Sequence, residues 1–291
     1  MATFKAGAKH KVDINNLDIL KTIPLIAKKI LSLDLESDEG EIKMLSLIEN
    51  DPQIAGKIIG LANTSFFGSS KRITTFLDAA MLLGIDRVKT VTLGIAYMTA
   101  FSNGPEGNFD IKNFWLHSIQ VANAMRLLSK EMPRNALPFI NEMFFAGLLH
   151  DIGYMVLNQI DKKLSDKLHS QFVVEEDRTS IEIEDEMLEL NHCQLGAELA
   201  RHWHLPDRLI AVIRYHHDPN NEHAAIGQPL VNMVNLAEKI LPVAGFNERV
   251  SAEIKLEEWL ALGIKPESGE SIIKKIKRQA KQANQGELDL P

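Results

Sequence analysis

Residues 144–153, Phe-Phe-Ala-Gly-Leu-Leu-His-Asp-Ile-Gly, constrain the fold of this chain more than any other stretch. An apolar helix ends there in a histidine beside a carboxylate, and such a pair is costly to bury unless something binds it. A metal ion is one candidate, since neutral imidazole and ionised carboxylate are both ligands of first-row metals. Adjacent side chains leave a helix about 100° apart, so His150 and Asp151 share one site only at a helix end or kink. Gly153 is expected to supply that end by taking a left-handed C-cap conformation.

The rest of the chain reads as helical. Of 291 residues 45% are apolar and 6% aromatic; Leu, Ile, Ala and Met are abundant, and Val, Thr and Tyr seldom recur at the period of two that marks a strand. That length can bury one large core or two packed lobes. A net charge of −7 argues against a nucleic-acid partner. No run approaches the roughly 18 to 20 apolar residues of a membrane span, and residues 1–11 lack the apolar core of a signal peptide. With the single cysteine, Cys193, excluding an internal disulfide framework, a cytoplasmic protein is expected.

Helices are expected over 25–33, 39–49, 53–62, 75–83 and 87–101, the third opened by Asp51-Pro52, an N-cap followed by proline at the first helical position. Gly84 and Asp86 read as a stop and a start. The Gly-, Pro- and Asn-rich stretch 102–110 marks a boundary between lobes. The division is therefore an N-terminal helical lobe, 1–102, a second helical lobe, 110–245, and a C-terminal helical extension and tail, 246–291. The second lobe is expected to hold helices over 111–132, 139–150, a polar pair through 161–191 with Thr179 and Glu182 at capping-box spacing, then 194–203, 207–217 and 229–240. In the extension, 251–262 is amphipathic, the basic helix 271–283 is read as a solvated face, and 285–291 as disordered.

The ten histidines sort by helical face. His117 continues the stripe Phe114, Val121, Ala124 and Leu128, and Asn113, one turn earlier, points the same way. His192 starts the stripe Leu195, Gly196, Leu199 and Trp203, while His216 and His217 follow Leu209, Val212 and Ile213. His202 and His204 fall off the stripe, and His10, His169 and His223 sit in polar contexts. Burying His117, His150, His192, His216 and His217 without a shared ligand would need a separate hydrogen-bond partner for each.

At this point the sequence resembles an HDOD domain, a member of the HD superfamily related to the HD-GYP phosphodiesterases. In the first lobe the resemblance rests on Ile23-Pro24 and on the runs 48–52, 61–68 and 79–84. In the second it rests on 114–118, 146–153, 192–200, 203–206 and 215–217. It implies an all-α, two-lobed HDOD fold with an HD-like helical core in the second lobe. The HD-GYP pattern puts metal ligands on His117, His150, Asp151, His192, His216 and His217. It also implies departures: an expected glutamate is Asn113, an expected lysine is Tyr154, the late aspartate corresponds to Asn235, and no Gly-Tyr-Pro follows His217.

Those departures remove carboxylates from the cage and a cation from the place of a phosphate. The resemblance thus implies a bacterial signal-transduction module, non-catalytic, with a degenerate metal pocket for one or two divalent transition metals (Fe, Mn, Ni or Zn). It would meet a protein partner, with a nucleotide as a possible ligand. The alternative is a metal-dependent phosphohydrolase acting on a nucleotide or cyclic dinucleotide, with Asp151 as its catalytic residue. A third reading is a structural adaptor whose histidines only bond one another. Cys193, beside His192, is read as a buried, inert thiol in preference to a soft ligand.

Overall fold

The computed structural model describes residue 10 and residues 25–34, 37–63, 72–101, 109–138, 140–175, 178–203, 205–241 and 253–282. Among these the regular structure is helical, and the expected all-α fold is what is found. The described residues fall into two compact units, one from 25 to 101 and one from 109 to 281 together with His10. Ile23-Pro24, the loop 64–70, the boundary 102–108 and the tail 283–291 lie outside the described residues.

In the first unit the chain makes α1 (Leu25–Leu31), α2 (Asp38–Glu49), α3 (Pro52–Ala62), α4 (Phe76–Leu83) and α5 (Ile85–Phe101). Local chemistry starts three of them. Ser37 accepts from Gly40 N, Asp51 from Gln53 and Ile54 N, and Thr75 from Asp78 N, each satisfying amides that a helix start leaves without partners. The inward faces bury Ile30, Met44, Ile48, Ile58, Leu83 and Val88, so side-chain spacing is converted directly into a core. Asp86, expected as a cap, lies within the first turn of α5.

The second unit carries α6 (Ile111–Ser129), α7 (Ile140–Leu149), α8 (Ile152–Ile160), α9 (Lys162–Val174), α10 (Ser180–Met187), α11 (His192–His202), α12 (Asp207–Tyr215), α13 (Leu230–Ile240), α14 (Leu256–Ala261) and α15 (Gly269–Gln282). Glycine sets two of its closest helix contacts. A Cβ on Gly147 would lie 2.5 Å from the Ala122 Cα, so α7 presses on α6 backbone to backbone. A Cβ on Gly153 would lie 1.9 Å from the His192 carbonyl oxygen, which locks α8 to the start of α11.

Gly153 therefore does a different job from the expected one. It is the second residue of α8, and the helix breaks earlier, at His150-Asp151, with Asp151 at φ −99°, ψ 11°. A carboxylate that makes no capping bond there is free to point elsewhere. At the far end, α15 buries Ile272 and Ile276 while Lys274 and Lys275 face out to Glu270 and Glu131.

Candidate metal centre

Four helix ends and two helix faces supply the cluster. His117 sits on the buried stripe of α6, and its ring packs edge-on to His150 with centroids 5.4 Å apart. His150 and Asp151 occupy the break between α7 and α8. His192 is the first residue of α11 because an Asn191–Gln194 capping box begins the helix there. His216 caps the C-terminus of α12, with His217 next to it. His117, His150, His192 and His216 are 0–1% exposed and Asp151 3%; His217 keeps 22% of its side chain exposed.

Asp151 is the hub. Its Oδ2 lies 3.1 Å from His150 Nε2 and 3.8 Å from His117 Nε2. Its Oδ1 lies 3.3 Å from His192 Nε2 and 3.4 Å from His216 Nε2. All six residues expected from the HD-GYP resemblance are thus brought into one region, together with Glu238 of α13, whose Oε1 is 3.1 Å from His150 Nε2. Three overlapping sets, His117/His150/Asp151/Glu238, Asp151/His216/His217/Glu238 and His192/Cys193/His216/His217, keep their donor atoms within 4.8 Å of one another and could hold a metal.

The imidazoles are oriented from behind. His150 donates Nδ1–H to the Gly147 carbonyl at 2.8 Å, His216 to the Val212 and Ile213 carbonyls, and His192 to the Glu184 carboxylate at 2.9 Å. Those partners can only accept, so the donor tautomer is set at Nδ1 and a bare Nε2 lone pair is left facing the centre. His192 Nε2 and His216 Nε2 then confront each other at 3.3 Å. His150 Nε2 and Asp151 Oδ1 are buried with no hydrogen bond of acceptable angle. Buried lone pairs aimed at one another and a carboxylate oxygen without a donor are what a cation between them would relieve.

Protonation follows the same demand. Burial pulls the His150 imidazole down, but the Asp151 and Glu238 carboxylates outweigh it and push it up to about 10. Burial would raise Asp151, yet His150 beside it holds the carboxyl well below the usual carboxylate range. His192 and His216, against the pull of burial, are raised well above 6.5, first by Cys193 and then by Glu184 and Glu238 respectively. Burial would also raise the Cys193 thiol, but His192 and His216 bring it to about 6. The carboxylates thus favour positive charge at these nitrogens, which either a proton or a metal ion can supply.

Two carboxylates escaped the sequence reading. Glu238 lies one turn beyond Asn235 on α13, 6% exposed; the only signal was its place on the apolar face of that helix. Asn235, which stands for the expected late aspartate, donates Nδ2–H to the His216 carbonyl at 2.7 Å, bracing that turn, and lines the cleft beside Glu238. Glu184, fully buried, accepts from the His192 backbone N–H, from its imidazole and from the Tyr154 hydroxyl at 2.6 Å. Tyr154 stacks on His192 at 4.2 Å, so the residue that stands for the expected lysine supports a ligand from behind.

Asn113, expected to face inward, is half-buried and turns to its own helix cap, donating to Asp110 at 2.9 Å. His169, expected in a polar setting, is 3% exposed between Phe109 and Phe172, because it flanks the buried Leu164–Leu168–Phe172 stripe. His204 lies outside the described residues. Beside the cluster a cleft of about 1110 Å³ opens, lined in part by Cys193, Arg214, His217, Asn232 and Glu238. Among the described residues no helix is long and apolar enough to cross a membrane.

These features define a helical protein built round a buried histidine and carboxylate cluster able to hold a metal. The chain belongs to the HDOD domain family, which it matches over residues 20–219. A curated relative from Treponema pallidum (strain Nichols), named as an uncharacterized protein, is 24% identical over 224 residues, 76% of this chain and 42% of the relative. This chain therefore spans less than half the length of that relative. Its fold is similar to a candidate signal transduction protein from Marinobacter aquaeolei VT8, with a TM-score of 0.69 at 23% identity, covering 91% of this chain and 59% of the other. It is also similar to a candidate phosphohydrolase from Shewanella amazonensis SB2B, with a TM-score of 0.64 at 21% identity, covering 92% and 94%.

Proposed function

We propose that this chain is a regulatory module of bacterial signal transduction, non-catalytic, in which His117, His150, Asp151, His192, His216 and His217, joined by Glu238, hold one or two divalent transition metals. The observation that carries this reading is Tyr154, which stands where the resemblance expects a phosphate-neutralising lysine: its hydroxyl is committed to the buried Glu184, and it offers no cation to a phosphate. A metal held there would supply positive charge to the buried carboxylates, while Gly147, Val212, Ile213 and Glu184 orient His150, His216 and His192 through their Nδ1 hydrogen bonds. The regulatory output then passes to a protein partner in the cytoplasm.

Metal analysis of full-length protein purified without chelator tests it. The expected result is about one or two equivalents of a transition metal, a melting temperature that falls on chelation, and no metal-dependent turnover of bis-p-nitrophenyl phosphate or cyclic dinucleotides. Less than about a tenth of an equivalent, with unchanged melting, would favour a purely hydrogen-bonded adaptor.

The second reading is a metal-dependent phosphohydrolase for a nucleotide or cyclic dinucleotide. It is favoured by Asp151, whose two oxygens face two different donor groups as a carboxylate bridging a pair of metals would, and by the cleft that reaches Glu238 and His217. Turnover that needs added Mn or Fe and disappears in Asp151→Ala would establish it over the first.

A further inference from the structure

Charge is concentrated at two helices of the second unit. Residues 175–189, which contain α10, carry eight Asp and Glu against one Arg, as much net charge as the −7 of the whole chain. Helix α15 carries Lys274, Lys275, Lys277, Arg278 and Lys281 against Glu270. Of these, Lys274, Lys277, Arg278 and Lys281 recur at i, i+3, i+4 and i+7, so they form one exposed stripe opposite the buried Ile272 and Ile276. On α10, Glu182, Asp185 and Glu186 recur at i, i+3 and i+4, with Glu189 just past the helix end, and all four are exposed. We propose that these stripes are the two faces of a contact between copies of this chain, α15 of one copy docking on α10 of another.

Neither stripe is balanced within one copy. Among the described residues Lys274 pairs with Glu270 and Lys275 with Glu131, whereas Lys277, Arg278 and Lys281 have no carboxylate partner. The helix dipole favours a cation in the last turn, which accounts for Lys281 and not for the others. Like charges three or four residues apart repel on a helix, so the stripe weakens α15 unless anions face it. On the acidic side Arg178 meets Glu175 and Glu186, while the Glu182 and Asp185 carboxylates accept from the neutral Thr179 and Asn191.

A second copy is the occupant that this pattern selects. Both stripes repeat at the same helical spacing, about 5–6 Å between neighbours, so the cations of one can stand opposite the carboxylates of the other. An anionic membrane would meet the basic stripe but repel the acidic one, and Ile272 and Ile276, already buried, are not available to enter a bilayer. Contact between the two stripes balances both at once. Because the patches differ the contact is heterologous, and because its groups are exposed its strength follows ionic strength. The start of α10, at Thr179, Ser180 and Ile181, lines the cleft beside the metal cluster, so a docked copy would stand next to that cleft. None of this depends on whether the cluster holds a metal.

Sedimentation velocity of the full-length protein decides it, at about 0.1 M and about 1 M salt, where charges are screened over about 10 Å and about 3 Å. The expected result is concentration-dependent association at the lower salt, weakened at least about tenfold at the higher. Two double variants should each stay monomeric, Lys277→Glu with Arg278→Glu and Asp185→Lys with Glu189→Lys, because like charges then oppose each other. Mixed in equal amounts they should associate again, since the unaltered α10 of the first meets the unaltered α15 of the second. A monomer at both salts, association that salt or either variant leaves unchanged, or no recovery on mixing overturns the proposal. Binding of a monomer to vesicles containing anionic lipid, lost on altering residues 277 and 278, overturns it in favour of a membrane surface. If a variant fails to fold, the salt dependence of the unaltered protein still gives the answer.

Discussion

The two units bury very different chemistry. Among the described residues of 25–101 the buried polar side chain is Thr92, bonded to the Val88 carbonyl. Residues 109–281 bury His117, His150, His169, His192 and His216 with the carboxylates Asp151, Glu184 and Glu238. The first unit is stabilised by apolar burial and helix caps, terms that hardly depend on solution conditions. The second contains buried charges that are tolerable only while they balance. Its stability should therefore follow metal and protons, and that of the first should not.

Removing Asp151 should separate the units most. Asp151→Ala leaves four imidazoles facing a buried gap without the anion that balances them, and a loss of about 3–5 kcal/mol is expected, since a broken buried pair strands its partners. Hydrogen exchange should report faster opening of α8, α11 and α12 with α2 and α3 unchanged; equal loss in both units would end the contrast. Chelation comes next. Metal held at a hundred times its dissociation constant adds about 2.7 kcal/mol to the folded state, so stripping it should lower protection in 109–281 alone. Binding should also release protons, visible as a buffer-dependent heat in calorimetry.

Smaller changes sharpen the same contrast. Tyr154→Phe takes one hydrogen bond from the fully buried Glu184, at a cost of about 1–3 kcal/mol, and should loosen metal retention through His192. Asp51→Ala, in the first unit, should cost about 1 kcal/mol through the lost cap with metal content unchanged; a fall in metal content would mean that the units are energetically linked. The smallest effect belongs to His169. Burial holds its imidazole below the ordinary 6.5, so the unfolded chain takes up a proton first as pH falls. Its contribution is present above about pH 6.5 and lost below it, and urea melts at pH 7 and pH 5 should show a smaller difference in His169→Gln than in the unaltered protein.

The comparison also explains what could be read in advance. Helix faces in both units were legible because apolar spacing is a local signal: Ile48, Leu83, Leu195 and Trp203 are buried as the 3.6-residue period requires. Caps were legible for the same reason at Asp51 and Thr179. Gly153 was misread because a glycine near a histidine–aspartate pair suggests a helix end, whereas its missing Cβ answers to the His192 carbonyl of another helix. Asn235 and Glu238 share one face of α13, and no local rule says which of two polar residues one turn apart turns toward a cluster assembled from other helices.

The order of residues along the chain determined that these helices form and which histidines turn inward, because capping and periodicity act over a few residues. Only the packed structure decided that Asp151 divides its two oxygens between unlike sets of donors, that Glu238 joins one set, that Cys193 lies against the other, and that Glu184 orients His192. Apart from sequence neighbours, those relations join residues 8 to 121 positions apart, and backbones allowed to touch at Gly147 and Gly153 help bring the helix ends together.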